Sequence, residues 1–164
     1  MDFGFDEEQI QLAASVREVI ESRYPIAYVR EMLGDPRGFS KGFWGDASEL
    51  GWLGLLAEER FGGAGLGPLE LVAVQQELGR GVVPGPYFSS AVLATSLLER
   101  LGSESQKTSW LPRLVAGDAI ATVALQEARG GWDAAGVALE EGDQPRQPYR
   151  RPRYREPRAE GPAR

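Results

Sequence analysis

The apolar residues near the start of the chain recur at helical intervals. Three or four positions separate successive members, which predicts one buried stripe on an amphipathic helix. The members are Ile10, Ala13, Val16 and Ile20. Asp6 and Gln9 precede the stripe with the spacing of a capping box, in which each side chain bonds the other residue's backbone N–H. Because proline removes a backbone donor and clashes with the preceding turn, Pro25 ends this first helix.

Similar patterns predict five more helices. A short one runs from Ile26 to Leu33 and stops at the Gly-Asp-Pro of residues 34–36. The next predicted helix, Phe43 to Leu53, is rich in large apolar side chains. Proline favours the first helical position, so another helix begins at Pro68. The remaining two are Tyr87 to Leu101, whose few charges predict a central place in a bundle, and a helix capped by Ser103 with Gln106 and ended by Gly117.

The pattern changes after Gly117. Residues 119–125 form an unbroken apolar run with β-branched members, which predicts a buried strand at 120–125. From Gln144 onward the chain has no Ile, Leu, Val, Phe, Met or Trp and five of its eleven prolines, so this tail is predicted to be disordered. The predicted fold is an all-α helical bundle, followed by one strand and a disordered tail. The expected divisions are 1–117, 118–143 and 144–164.

Charge and composition exclude several classes of function. Seven Arg and two Glu give residues 144–164 a charge of +5, so residues 1–143 carry −11 and should repel nucleic acid. An arginine-rich RNA-binding tail at 150–155 is the corresponding minor alternative. The chain has no Cys and no His, which removes thiolate metal sites and the commonest general base. With no membrane-spanning apolar run and an acidic start, the expected location is the cytoplasm.

Two further features resemble sites and are interpreted as structural. The glycine-rich loop at 62–67 lacks the glycine spacing of a dinucleotide fingerprint and is predicted to be a tight connection between helices. The carboxylate pairs at 7–8, 58–59 and 140–141 are adjacent in sequence and cannot face each other. Glu70 and Glu77 could share a helix face, but without histidine a metal site there is weakly supported. Trp132, in a loop, is the tryptophan freest to meet a ligand.

Several segments in order resemble one family, the flavin-dependent acyl-CoA dehydrogenases, in their N-terminal helical domain. The segments are MDFGFDEEQ at 1–9, LGWLGLLAEERFGGAG at 50–65, ELGR at 77–80 and LGSESQKTSWLPRL at 101–114. The family has a helical N-terminal domain, a β middle domain and a helical C-terminal domain. The resemblance implies FAD as cofactor, acyl-CoA as substrate and oxidation of the Cα–Cβ bond to an enoyl-CoA.

The resemblance also implies candidate binding residues. The helix after Pro86 lines the acyl-chain pocket in the family, which makes Tyr87, Ser89, Ser90 and Leu93 candidate substrate neighbours. The segment ALQEARGGWD at 124–133 resembles the flavin-contacting start of the middle domain. It implies flavin contacts from Leu125, Gln126, Gly131 and Trp132. Here Gln126 stands where the family has a hydroxyl residue, Ala128 replaces proline and Trp132 replaces serine.

The resemblance ends near Gly142, and no catalytic carboxylate or metal ligand can be assigned to this chain. Sixteen Arg, two Lys and no Asn indicate a GC-rich gene, and the Arg/Pro tail resembles such a gene translated out of frame. The hypothesis is a truncated, frameshifted acyl-CoA dehydrogenase that is inactive alone. The alternative is a non-catalytic helical subunit that binds acyl-CoA or a related dehydrogenase. Self-association, or pairing with such a dehydrogenase, is expected of either.

Overall fold

The computed structural model describes residues 4–124, which belong to one compact unit. This part of the chain is helical and contains no strand. Its α-helices are α1 (Glu7–Arg23), α2 (Ile26–Met32), α3 (Lys41–Glu49), α4 (Pro68–Arg80), α5 (Thr95–Leu101) and α6 (Glu104–Val115). Two 3₁₀ turns, Trp52–Gly54 and Glu59–Phe61, lie between α3 and α4, and a π-helical segment, Phe88–Ala94, runs directly into α5.

Helix starts follow the local sequence. Asp6 caps α1 by accepting the Gln9 N–H at 2.9 Å, while the Gln9 side chain accepts the Asp6 N–H at 3.1 Å. Ser103 and Gln106 form the same capping box at the start of α6. Each box satisfies two backbone donors that the first turn leaves without intrahelical partners. The predicted starts of α1, α4 and α6 are therefore confirmed.

The buried face of α1 differs from the prediction at the start of the helix. Val16 and Ile20 are buried as expected, but Ile10 is 56% exposed and Gln9 takes the buried position beside it. Gln9 is held there because its amide donates to the Glu70 carboxylate of α4 at 2.8 Å. The prediction that Ile10 belongs to the buried stripe is wrong.

The predicted helix from Phe43 to Leu53 is interrupted. α3 ends at Glu49, and Gly51 has φ +77°, a left-handed conformation that stops a right-handed helix. The chain then turns through the 3₁₀ segment, which buries Trp52 and Leu53. Phe43, Trp44, Trp52 and Leu53 thus contribute to the core through two elements rather than one, whereas Leu50 between them is 44% exposed.

The predicted helix from Tyr87 to Leu101 is also two elements, the π-helical segment and α5. It is not central in the unit. Phe88 is 56% exposed, Leu97 44% and Leu101 77%, so one apolar side of this long helix lies at the surface. The low charge of the sequence indicated an apolar environment, but among residues 4–124 no element covers that side.

The core lies between α1, α3, α4, the first 3₁₀ turn and the start of the π-helical segment. Tyr24 anchors its aromatic part, with ring centroids 5.2 Å from Phe43 and 5.0 Å from Tyr28, both edge to face. Edge-to-face contacts add to the free energy of burial. The buried core residues include Val16, Ile20, Tyr24, Phe43, Trp44, Ala47, Trp52, Leu53, Val74, Leu78, Tyr87 and Ala91.

Several predictions fall at or beyond the end of this unit. Residues 119–124 follow α6 without helix or strand, and Leu125 lies outside the described residues, so the strand at 120–125 stays a prediction. The tail and the divisions at 117 and 143 stay predictions as well. No described helix is long and apolar enough to cross a membrane.

Candidate functional site

A cleft of about 400 Å³ opens between α5, α6 and the segment after α6. Its lining is mostly apolar, and three of its large side chains stay exposed: Leu97 (44%), Trp110 (44%) and Ile120 (48%). Single exposed apolar residues are ordinary on a protein surface, but several around one concavity mark a binding site. The complete lining is Ala94, Leu97, Leu98, Trp110, Leu114, Ile120, Ala121, Thr122 and Val123.

Buried neighbours hold the walls of this cleft. In α5, Thr95 is fully buried, which leaves Leu97 to face outward two residues later. In α6, Leu111 and Leu114 are buried and place Trp110 at the edge of the helix's apolar face. The Arg113 guanidinium lies 4.8 Å from the centre of the Trp110 ring, a cation–π contact that restrains the indole. The cleft is therefore built on two packed helices.

Tyr87, a predicted substrate neighbour, is buried in the core and does not line the cleft. Its hydroxyl donates to the Trp52 carbonyl oxygen at 2.8 Å. Burial raises the pKa of the Tyr87 phenol above its ordinary value of 10.0, because the phenolate would lose its hydration. The phenol is neutral at physiological pH and already bonded, so its geometry is that of a packing residue.

The other three predicted substrate neighbours follow Tyr87 on the π-helical segment. Ser90 is buried, and its oxygen accepts the backbone N–H of Ala121 at 3.1 Å. The Ser89 hydroxyl donates to the Pro86 carbonyl oxygen at 3.1 Å, and Leu93 is half-buried. None of the four predicted residues lines the cleft, although Ser90 holds one of its walls from behind. Their contact with substrate stays a prediction.

The four predicted flavin contacts, Leu125, Gln126, Gly131 and Trp132, lie outside the described residues. No described residue therefore tests whether this chain fits a flavin, and we derive no step through that group. Across residues 4–124, no group of acidic side chains is placed to hold a metal ion.

The glycine-rich loop at 62–67 does not offer a phosphate cradle. Such a cradle needs several backbone N–H groups free to point at the anion. Here the N–H groups of residues 62–66 donate to carbonyl oxygens of residues 54–59, and the Gly67 N–H donates to Glu70. A side chain at Gly63 would overlap the Ala57 carbonyl, so the loop packs closely on the preceding turn. The loop has the geometry of the predicted tight connection.

Hydrogen bonds and ion pairs lower the pKa of six carboxyl groups in the unit. The Arg17 guanidinium lowers the pKa of Glu77 below its ordinary value of 4.5, with further help from Arg80. Hydrogen bonds to neighbouring side chains also lower the pKa of Asp35, Asp46, Glu58, Glu70 and Glu104. A general base works best with a pKa near the working pH, so these groups are poorly suited to that role. Glu77 and Glu70 share one face of α4, as the sequence predicted, and use it to bind α1.

Known proteins share this helical unit. The model of the acyl-CoA dehydrogenase N-terminal domain matches residues 6–118. Mitochondrial isovaleryl-CoA dehydrogenase of Pongo abelii is 34% identical over 83% of this chain and 33% of its own length. The ChsE4-ChsE5 complex from Mycobacterium tuberculosis is similar with a TM-score of 0.73 and 35% identity, covering 80% of this chain and 36% of the matched one.

A third relative carries the reduced cofactor. The structure of a glutaryl-CoA dehydrogenase from Mycobacterium smegmatis in complex with FADH2 matches with a TM-score of 0.70 and 28% identity, over 81% of this chain and 34% of that one. In all three comparisons this chain spans about a third of the relative's length. The shared part is the helical unit and a short stretch of chain after it.

Proposed function

The chain belongs to the acyl-CoA dehydrogenase family, and we propose that its helical unit binds the apolar part of an acyl-CoA for flavin-dependent oxidation to an enoyl-CoA. The observation that carries this proposal is the apolar cleft between α5, α6 and residues 120–123. Its volume of about 400 Å³ lies at the lower end of the range that small-molecule sites occupy, roughly 300–1,000 Å³. Burying an acyl chain there contributes about 0.8 kcal/mol for each methylene removed from water.

Leu97 is the side chain we assign to contact with the acyl chain. It belongs to the helix after Pro86, which the family uses for its acyl pocket, and it faces the cleft while remaining 44% exposed. Trp110 and Ile120 flank it on the other two walls. Ser90 supports the wall of residues 120–123, because its hydroxyl oxygen accepts the Ala121 N–H.

The chemistry itself is assigned to residues outside 4–124. Removal of the substrate's α-proton needs a base, and the carboxylates whose pKa is lowered by ion pairs and hydrogen bonds are poor bases. FAD, bound by residues beyond this unit, would accept the hydride in this family. The unit therefore binds and orients substrate, and we expect residues 4–124 to supply no turnover of their own in dye-reduction assays with short, medium or long acyl-CoAs.

A second candidate is a non-catalytic helical subunit that binds acyl-CoA or pairs with a related dehydrogenase. The exposed apolar side of α5 favours it, since such a surface suits a protein partner. The visible absorption spectrum of the purified chain distinguishes the two candidates. Bound flavin supports the dehydrogenase, whereas acyl-CoA binding by a colourless protein supports the subunit.

Calorimetric titration with octanoyl-CoA and with free CoA tests the assignment of the cleft. We expect octanoyl-CoA to bind more tightly than CoA, because only the former has an acyl chain to bury. Leu97→Asp should weaken octanoyl-CoA binding at least tenfold. Leu33→Asp is the matched control, because Leu33 is an 85% exposed leucine at the end of α2 and lies outside the cleft. Equal affinities for octanoyl-CoA and CoA, or equal losses in both variants, would contradict the proposal.

A further inference from the structure

Three side chains bond the backbone where the chain leaves α6. The Trp44 indole Nε1–H donates to the Gly117 carbonyl oxygen at 3.1 Å, and the Ser48 hydroxyl donates to the Val115 carbonyl oxygen at 3.1 Å. Both belong to α3. The third bond involves the π-helical segment, where the Ser90 hydroxyl oxygen accepts the Ala121 N–H at 3.1 Å. Residues 115–121 are thus held from two elements.

Ser90 is itself fixed in place. It is 1% exposed, and its carbonyl oxygen accepts both the N–H and the hydroxyl of Thr95, five residues later. A carbonyl bonded to the fifth residue along the chain is the mark of a π-helical turn, which is rare and often occurs at functional sites. The π-helical segment therefore presents a rigid hydroxyl to the segment after α6.

Ala121 is central to one wall of the cleft. Residues 120–123 form that wall, and the exposed Ile120 precedes Ala121 directly. The segment lies outside any helix, so its backbone N–H groups have no regular partners. The bond to Ser90 is the hydrogen bond that joins the middle of this wall to the π-helical segment.

We infer that Ser90 is a positioning residue that holds the 120–123 wall for the acyl chain. This inference rests on the proposed function for its ligand, but the bond to Ala121 is a separate observation. The inference also changes the role of Ser90. Its hydroxyl positions the backbone of Ala121 and affects the substrate only through that backbone. Because serine was expected here only as a substrate neighbour, the two roles make different experimental predictions.

Amide hydrogen exchange on the full chain tests the bond directly. Ser90→Ala removes the acceptor and should speed exchange at the Ala121 N–H about fivefold relative to the intact protein, the factor expected for loss of one hydrogen bond. Ser90→Thr keeps the hydroxyl and should keep the protection, even where its extra methyl group lowers thermal stability. Val74→Ala serves as a control for general destabilisation, because Val74 is buried in α4, away from the cleft.

Octanoyl-CoA titration of the same variants tests the consequence. Ser90→Ala should weaken binding about fivefold, while Ser90→Thr and Val74→Ala keep the affinity of the intact protein. Unchanged exchange at Ala121 in Ser90→Ala would overturn the inference, as would faster exchange with unchanged affinity. If the intact chain does not bind octanoyl-CoA, the proposed function fails, and the exchange rates alone then decide whether Ser90 holds the wall.

Discussion

The α1–α4 seam and the α5–α6 face of the helical unit differ in the side chains that they present. On the α1–α4 seam, Arg17 of α1 donates to the buried Glu77 of α4 from Nε at 3.0 Å and from Nη2 at 2.7 Å. Arg80 bonds Glu77 and also reaches Glu21. The α5–α6 face, defined by Leu97, Leu101, Trp110 and Ile120, instead exposes four large apolar side chains.

The two sides differ in whether their interacting groups are satisfied within the unit. The α1–α4 seam pairs its buried polar groups internally, and the apolar side chains that these two helices expose, Ile10, Leu69 and Val72, do not line the cleft. The α5–α6 face leaves apolar groups in water, which costs free energy unless a ligand or another protein surface covers them. This contrast supports the proposal that substrate binds on the α5–α6 face, while the α1–α4 seam has a structural role.

The largest expected effect tests whether the two sides fold together. Leu111 is fully buried in α6, and Leu111→Ala should lower the free energy of unfolding by about 3 kcal/mol through lost transfer energy and a cavity. If the unit is one cooperative domain, amides in α1 should lose protection in step with those in α6. Hydrogen exchange with circular dichroism melting measures both. Loss of protection confined to α6 would show two independently stable regions.

Local signals in the sequence were sufficient for most helix boundaries. The capping residues Asp6 and Ser103, and Pro68 at a first helical position, act within one turn of the chain, so spacing alone identifies them. Gly51 shows where this limit lies. The apolar run around it looked continuous, but a glycine inside such a run does not reveal from sequence that it adopts a positive φ.

Contacts between residues far apart in the sequence could not be predicted from the hydrophobic pattern. Gln9 is buried because it bonds Glu70, 61 positions away, which no periodicity in α1 could reveal. Ser90 and Ala121 meet across 31 positions. The cleft was missed for the same reason, since its walls come from three elements, although the apolar character of Leu97 and Trp110 was visible. The family resemblance indicated the long helix that carries Leu97, but the four residues it implied there do not line the cleft.

The second prediction breaks the α1–α4 seam. Glu77→Gln keeps the size of the side chain but removes the charge that pairs with Arg17 and Arg80, and should lower the free energy of unfolding by about 2 kcal/mol. The matched control is Glu21→Gln, at the exposed end of the same network, which should cost no more than about 0.5 kcal/mol. Urea denaturation gives both values. Equal costs would mean that burial of Glu77 does not strengthen its ion pairs.

The third prediction is a pH dependence of the same seam. Because Arg17 lowers the pKa of Glu77 in the folded protein, the carboxylate contributes stability above the ordinary value of 4.5. That contribution disappears as pH falls through the folded-state pKa, where Glu77 becomes protonated. The gap in stability between the intact protein and Glu77→Gln should therefore be full at pH 7 and narrow steadily below about pH 4.5. If the difference in stability between the two proteins stayed constant down to pH 3, packing and not the charge of Glu77 would account for it.

The fourth prediction changes the α5–α6 face and has the smallest expected effect on stability. Leu97→Gln and its control Leu33→Gln both change an exposed leucine, so each should shift the free energy of unfolding by no more than about 0.5 kcal/mol. They should differ in association. We expect the intact chain to self-associate through its exposed apolar face, Leu97→Gln to shift it toward monomer, and Leu33→Gln to leave it unchanged. Sedimentation velocity over a concentration series measures this. A monomeric intact chain with a sharp, reversible melt would show that the α5–α6 face tolerates water without a protein partner, leaving the cleft to a small ligand.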